Sequence, residues 1–222
     1  MFGANRLILR LLACGLFLCC FVSLTFLRPE PSRARAIPPA LRFRLDSTQS
    51  KFIAHGMRGG LFWFKGHEHL VAARDFSGEA VLDPGQITAS SLQLIVKTES
   101  MAETSDVFTA QQKQIINKEL RDIVLEPAKY PEIVFRSTAV SGEAIANRQY
   151  DLKIRGDLTL HGVTRQIVIP ARVSIAGNDL RATGEFSIDR GDFSVKATSA
   201  FHGMVRVREK VKFTFDIVGR RV

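Results

Sequence analysis

Apolar and polar residues alternate with a period of two along most of the chain after residue 40. The clearest run places Tyr150, Leu152, Ile154, Gly156, Leu158 and Leu160 on one parity, and Asp151, Lys153, Arg155, Asp157, Thr159 and His161 on the other. Successive side chains of a strand point to opposite sides, so this pattern predicts a strand with one dry and one solvated face. Similar shorter runs cover residues 41–45, 76–82, 92–98, 167–175 and 180–188.

The last alternating run is predicted to form one strand over residues 205–217. Its polar parity begins with four basic residues, Arg206, Arg208, Lys210 and Lys212. We interpret this basic stripe as a solvated outer face. The alternative is attraction to anionic head groups at a membrane surface or to the phosphate of a ligand.

One segment departs from the period of two. Between Phe108 and Val124, apolar residues recur at spacings of three, four and seven, which predicts a helix. Thr109 and Gln112 have the spacing of a capping box, and Glu126-Pro127 is expected to end the segment, because proline disfavours a helical residue before it.

Together these elements predict an all-β fold, an antiparallel barrel of about eight strands with one inserted helix. A closed barrel covers the dry faces of the strands and leaves no exposed edge. At about eight strands, the interior is either filled by its own side chains or holds one small ligand. The alternation leaves both possibilities open.

The first 36 residues are predicted to lie outside the barrel domain, residues 37–222. Arg6 and Arg10 precede an uncharged apolar run over residues 11–27, and residues 34–36 (ARA) form a small-x-small cleavage sequence. We interpret residues 1–36 as a signal peptide, so that the mature protein begins at Ile37. The length of the run leaves an uncleaved N-terminal membrane anchor as the alternative. The domain is therefore expected to be periplasmic or secreted, or membrane-anchored if the segment is uncleaved.

Charge and cysteine content narrow the function classes. The formal net charge is +9, but residues 1–36 carry five arginines and Glu30, so the domain holds only about +5. This modest excess, with one tryptophan and two tyrosines to stack on bases, argues against nucleic-acid binding. The three cysteines lie at positions 14, 19 and 20, which excludes a disulfide framework and cysteine-based chemistry from residues 37–222.

Two stretches, residues 128–137 (AKYPEIVFRS) and 156–165 (GDLTLHGVTR), carry a resemblance to a known family, with weaker support from Asp46, Ser50 and residues 188–193 (IDRGDF). From about Phe43 to Val218 the chain resembles the YceI-like family of exported lipid- and polyisoprenoid-binding proteins. The resemblance implies a lipocalin-like barrel that encloses a long isoprenoid or fatty chain, as a carrier or store and not as an enzyme. The chain departs from the family pattern at residues 66–69 (GHEH) and at Ser194, where glycine is common.

Candidate residues for the wall of a lipid-binding pocket are apolar residues on predicted strands. Each buried CH₂ group of a ligand contributes about 0.8 kcal/mol, so such a pocket needs no catalytic group or cofactor. For two of these residues, Phe62 and Phe64, the alternation does not assign which parity of the strand faces inward. The candidates are Phe52, Phe62, Phe64, Leu94, Val96, Phe135, Leu158, Phe186 and Phe213.

Histidines supply the alternative chemistry. His67 and His69 are two residues apart, which on a strand points both rings to the same side, as metal ligands require. The alternative hypothesis is therefore a metal-binding barrel protein, with or without a catalytic role, although the sequence shows no HExxH, GxSxG, phosphate-loop or dinucleotide motif. His161 lies on a polar parity and is expected to be exposed. A structural envelope protein with a filled core is a third reading, and a homodimer stays open.

Overall fold

The computed structural model describes residues 39–59, 67–196, 199–200 and 205–222. Its strands are β1 Leu41–Gly56, β2 Arg58–Gly59, β3 His69–Ala72, β4 Phe76–Leu82, β5 Ser91–Lys97, β6 Ala102–Glu103, β7 Glu132–Ala146, β8 Gln149–Leu160, β9 Val163–Ala176, β10 Asp179–Asp189, β11 Ser199–Ala200, β12 Val205–Val207 and β13 Lys210–Arg221. One α-helix, α1 Ala110–Glu119, continues into a π-helical turn, Leu120–Leu125. Short 3₁₀ turns cover Ile87–Ala89, Thr98–Ser100 and Arg190–Phe193.

Eight of these strands close into an antiparallel barrel, in the order β1-β4-β5-β7-β8-β9-β10-β13 and back to β1. The ring is closed by pairing of β13 with β1, where Phe52 lies opposite Phe215. The helix lies in the connection between β6 and β7. The predicted all-β barrel with one inserted helix is thus confirmed.

The period of two sets the two faces of the barrel wall. Along β8, each residue from Tyr150 to Leu160 on the apolar parity is buried, and the residues between them are exposed or half-buried. The inward side chains of neighbouring strands meet in register, as Phe135 of β7 does with Leu158 of β8. Burial of these apolar side chains drives closure of the sheet, at about 25 cal/mol per Å² removed from water.

The chain between residues 205 and 217 is broken into two strands, so the prediction of one strand was wrong. Arg206 lies in β12, which pairs with β2 and β11 in a separate three-stranded sheet. Lys210 and Lys212 lie in β13, and Arg208 lies between the two strands. The four basic residues therefore do not share one face of one strand. Alternation shows which side of a strand is dry, but it carries no information about which strand pairs with it. The alternating pattern therefore continues through the break between β12 and β13.

The inserted helix begins where the sequence predicts. The Thr109 side chain accepts a hydrogen bond from the backbone N–H of Gln112, and the Gln112 side chain accepts one from the backbone N–H of Thr109, completing the capping box. The helical segment ends at Glu126, whose φ of 45° reverses the backbone before Pro127. Among the described residues, no helix has the length and hydropathy needed to cross a membrane.

The two stretches on which the family resemblance rests contact each other at the end of β8. The β8–β9 connection is a two-residue turn in which both His161 and Gly162 have positive φ. This geometry turns the His161 ring under Tyr130, at 4.1 Å between ring centroids, and its Nε2 lies 2.9 Å from Oε2 of Glu126. His161 is therefore buried, and the expectation that it is exposed was wrong. Strand parity does not extend into a turn.

Tyr130 also covers Gly162, which makes this turn sensitive to a single methyl group. A Cβ on Gly162 would lie 2.8 Å from Cε1 of Tyr130, whereas a Cβ on Gly177, another glycine with positive φ, would meet no atom within 4 Å. We expect Gly162→Ala to lower the free energy of unfolding by about 1–3 kcal/mol more than Gly177→Ala, because both replacements strain the backbone but one also overpacks the ring. Urea unfolding of the two variants measures this difference. Equal losses would show that Tyr130 moves aside freely.

The interior of the barrel divides into two halves. We call the end near α1, with the last residues of β8 and the first of β9, the helix end, and the opposite end the packed end. Apolar side chains fill the packed end, and Phe43 at its centre is 0% exposed. Other buried side chains in this half include Leu82, Tyr150, Leu152, Val173, Ile175 and Leu180.

Candidate functional site

A cavity of about 490 Å³ occupies the helix end of the barrel. This volume lies within the range of about 300–1,000 Å³ that is typical of small-molecule pockets. The wall is formed by inward side chains of the barrel strands, and the helical segment from Phe108 to Leu125 covers one side. The alternation left open whether the barrel interior is filled or hollow. The barrel is filled at the packed end and hollow at the helix end.

Seven of the predicted pocket residues lie on the wall of this cavity. They are Phe52, Leu94, Val96, Phe135, Leu158, Phe186 and Phe213. The other two, Phe62 and Phe64, lie outside the described residues. Contact of these side chains with a ligand stays a prediction.

An aromatic cluster forms the wall where β10, β13 and β1 meet. The ring of Phe213 stacks on Phe186, at 5.0 Å between centroids and 9° between planes, and lies 6.0 Å from Phe52. The cross-strand register explains the stacking, since Phe186 of β10 and Phe213 of β13 are directly opposite. These rings are only half-buried, because the cavity leaves part of their surface without a packing partner.

Polar side chains on the cavity wall are His67, His69, Gln112, Glu119, Arg190 and Lys196. The two histidines flank Phe108, which lies just before α1. The His69 ring stacks on Phe108 at 5.0 Å between centroids, and the His67 ring meets it edge-on at 5.7 Å. Both imidazoles contact Phe108 and line the cavity, although β3 begins at His69 and leaves His67 just before it.

A buried carboxylate holds His69. The Glu103 side chain is 0% exposed, and its Oε2 lies 2.8 Å from Nδ1 of His69. Its Oε1 accepts hydrogen bonds from the backbone N–H groups of Leu70 and Ser105. Burial raises the pKa of Glu103, but the hydrogen bonds from His69 and the two amides outweigh it and hold the pKa below its ordinary value.

Glu103 also ties the helix to the barrel. Its backbone N–H donates to Oδ1 of Asn117 in α1, at 2.8 Å, and Nζ of Lys113 donates to the carbonyl of Thr104. The helical segment is thus joined to β3 and β6 by the same residue that orients His69. Sequence reasoning missed Glu103, because it stands in an irregular stretch without periodicity.

For a metal site, the arrangement supplies few ligands. Within residues 39–59, 67–196, 199–200 and 205–222, no three His, Cys, Asp or Glu side chains are close enough together to hold a metal ion. Nδ1 of His69 is engaged by Glu103, and Glu68 points away from the pair to Nδ1 of His55, at 3.0 Å.

Arg190 also lies on the cavity wall and holds a turn. Its Nη1 donates to the carbonyl of Val195 at 2.8 Å, and its Nη2 donates to Oε1 of Glu209 at 2.6 Å. Ser194 within this turn has a φ of 57°, which explains why glycine would be favoured there.

Comparison with known proteins gives a family and a fold. The model of the YceI-like domain matches residues 43–219 of this chain. A UPF0312 protein of Pseudomonas savastanoi pv. phaseolicola is 35% identical over 131 residues, which are 55% of this chain and 62% of that protein. A UPF0312 protein of Vibrio cholerae is 35% identical over 104 residues, 47% of this chain and 49% of that protein. The chain thus matches less than two thirds of the length of these curated relatives.

Three solved structures share the fold. BcnA of Burkholderia cenocepacia is 21% identical with a TM-score of 0.61, and the match covers 78% of this chain and 98% of BcnA. A polyisoprenoid binding domain from Saccharophagus degradans, implicated in plant cell wall breakdown, is 16% identical with a TM-score of 0.58, covering 82% and 99%. A YceI protein of Campylobacter jejuni is 20% identical with a TM-score of 0.52, covering 68% and 83%.

Proposed function

Since the chain belongs to the YceI-like domain family, we propose that its barrel encloses the apolar chain of a lipid, of the polyisoprenoid or fatty class, and acts as a carrier or store. The observation that carries the proposal is the cavity of about 490 Å³ at the helix end. Its deep wall consists of aliphatic and phenylalanine side chains, and the polar groups lie near the helix and the turn of Arg190. Such a wall gains free energy from each CH₂ group that it removes from water.

The proposal of a binding protein that is not an enzyme has the same support. A flexible apolar chain needs a dry, continuous wall and no reacting group, and that is what β5, β7, β8, β9, β10 and β13 supply to the cavity. A structural neighbour, the domain from Saccharophagus degradans, is described as polyisoprenoid binding. That description favours an isoprenoid over a straight fatty chain.

Mass spectrometry of organic extracts from the purified protein tests the proposal. We expect about one lipid per protein molecule, released by denaturation in organic solvent, and native mass spectra with a matching mass excess. A protein that carries no lipid and does not take up an added long-chain lipid would contradict the proposal. That result would favour the alternative of a structural envelope protein whose cavity holds no ligand.

We further propose that the domain is exported and acts in the periplasm or outside the cell. The basis is the amino-terminal sequence, which lies outside the described residues. N-terminal sequencing of the mature protein is expected to begin at Ile37. An intact Met1 in the membrane fraction would mean that the segment is an anchor instead, and the barrel would then be held at the membrane surface.

Membrane contact through Arg206, Arg208, Lys210 and Lys212 has weaker support than the pocket. The four residues belong to two different elements, and Nζ of Lys212 forms an ion pair with Oε2 of Glu185 at 2.7 Å. Exposed apolar side chains near the cavity favour the helix end as the face that meets a membrane. They are Val107, Ile115 and Ile123.

A further inference from the structure

Nε2 of His69 lies on the cavity wall with a defined hydrogen-bonding role and no hydrogen-bond partner among the described residues. Nδ1 of His69 is bonded to Glu103, and the ring is packed against Phe108. Nδ1 and Nε2 are on opposite sides of an imidazole, so Nε2 is turned away from Glu103. No group of the described residues forms a hydrogen bond with Nε2, although the ring lines the cavity and its side chain is 28% exposed.

The surroundings of Glu103 decide which nitrogen of His69 carries the proton. Oε1 of Glu103 accepts from two backbone amides, those of Leu70 at 3.0 Å and Ser105 at 2.8 Å, so it acts as an acceptor on both of its lone pairs. Oε2 then accepts from the His69 ring. A carboxylate that accepts from Nδ1–H fixes the neutral imidazole with its free lone pair on Nε2. His69 thus presents a hydrogen-bond acceptor to the cavity.

We propose that Nε2 of His69 accepts a hydrogen bond from a hydroxyl group at the head of the bound lipid, so that the cavity selects chain alcohols over ethers of the same chain. This inference rests on the proposed function, because it places the head group of that lipid. The apolar chain lies along the wall formed by Phe135, Leu158 and Phe213, and the hydroxyl lies beside Phe108.

Three other polar groups of the wall, Arg190, Gln112 and His67, are less suited to this role. Arg190 cannot accept a hydrogen bond, because a guanidinium only donates. Its two terminal nitrogens donate to Val195 and Glu209, and its buried Nε has no partner among the described residues. Gln112 is engaged with Thr109 in the capping box. His67 meets Phe108 edge-on, and no carboxylate of the described residues orients its ring. The acceptor fixed by a buried partner is on His69, and a fixed acceptor discriminates best between a donor and its methylated analogue.

The test compares geranylgeraniol, a prenyl alcohol, with its methyl ether, each competing against a fluorescent fatty-chain probe in the delipidated full chain. The methyl ether keeps the chain and the oxygen but cannot donate a hydrogen bond. We expect the wild type to bind the alcohol about three- to tenfold more tightly, the ratio expected for one net hydrogen bond. We expect His69→Phe, which keeps a ring on Phe108, to bind both compounds equally. His55→Phe is the matched control and is expected to retain the preference for the alcohol, because His55 does not line the cavity and its ring bonds Glu68 and Thr214.

The outcomes separate this inference from the proposed function. If both compounds bind the wild type equally, or if His69→Phe keeps the preference, the head-group site is wrong and the lipid pocket stands. If neither compound binds, the lipid pocket itself is contradicted, and the head-group site with it. The wild-type comparison needs no variant and stands even where His69→Phe does not fold. Imidazole ¹⁵N shifts of the wild type provide a second measurement, since the Nε2 resonance of His69 should move on addition of the alcohol but not of the ether.

Discussion

Replacement of Leu158 by arginine is expected to remove lipid from the purified protein. Leu158 is 8% exposed and lies on the cavity wall, where it is the cross-strand neighbour of Phe135. An arginine there fills part of the cavity and brings a charge that an apolar chain cannot solvate, which costs several kcal/mol in the occupied state. We expect the lipid content measured by mass spectrometry to fall by about tenfold or more. Leu94→Arg, on a different strand of the same wall, is expected to behave in the same way.

The matched control is Val168→Arg, because it makes a similar replacement on the outer face of the barrel. Val168 is 44% exposed and lies on β9, next to β8. This variant should keep its lipid and its stability. Buried charge also destabilises the fold, so circular dichroism and urea unfolding must accompany the lipid measurement. A natively folded Leu158→Arg with unchanged lipid content would show that the lipid binds elsewhere.

Phe43→Ala is expected to have the largest effect on stability, with a loss of about 3–5 kcal/mol in the free energy of unfolding. Phe43 is 0% exposed in the packed end. Its neighbours are themselves tightly packed, so they cannot move to fill the cavity that a missing ring would leave. Equilibrium urea unfolding measures the loss. Below the unfolding transition the variant should still carry lipid, because Phe43 does not line the cavity.

Phe213→Ala supplies the opposite combination. Phe213 is half-buried on the cavity wall, so its ring is already without a partner on one side. We expect a loss of about 1–2 kcal/mol in stability, together with weaker retention of lipid. If a folded Phe43→Ala loses its lipid while Phe213→Ala keeps it, the division of the barrel into a packed end and a binding end is wrong.

Local patterns predicted the fold well wherever burial alone decides a structure. The alternation along β8 and the capping box of Thr109 and Gln112 both appear in the structure as the sequence indicated. Each depends on residues that are close in sequence. The separation of β12 from β13 was not predictable in this way, because it depends on the distant partners of each strand.

The candidate site was predicted in part for the same reason. The inward parity identified Leu94, Phe135 and Leu158 as wall residues, but it could not show which inward side chains leave a space between them. That depends on packing across the whole barrel. The orientation of His69 could not be predicted, because it depends on Glu103, which is 34 positions away and is marked by no local pattern. The burial of His161 was not predictable either, because it depends on the turn that this residue forms with Gly162.

The filled packed end has a kinetic consequence for whatever the cavity holds. Because buried side chains around Phe43 close that half of the barrel, we expect a bound molecule to enter and leave at the helix end. A second molecule cannot push the first one out from behind, so exchange is dissociative, and its rate is set by the departure of the resident molecule and not by the concentration of the newcomer. The packed end also limits the length of chain that the cavity can enclose, since the part of a longer chain that does not fit must remain in water.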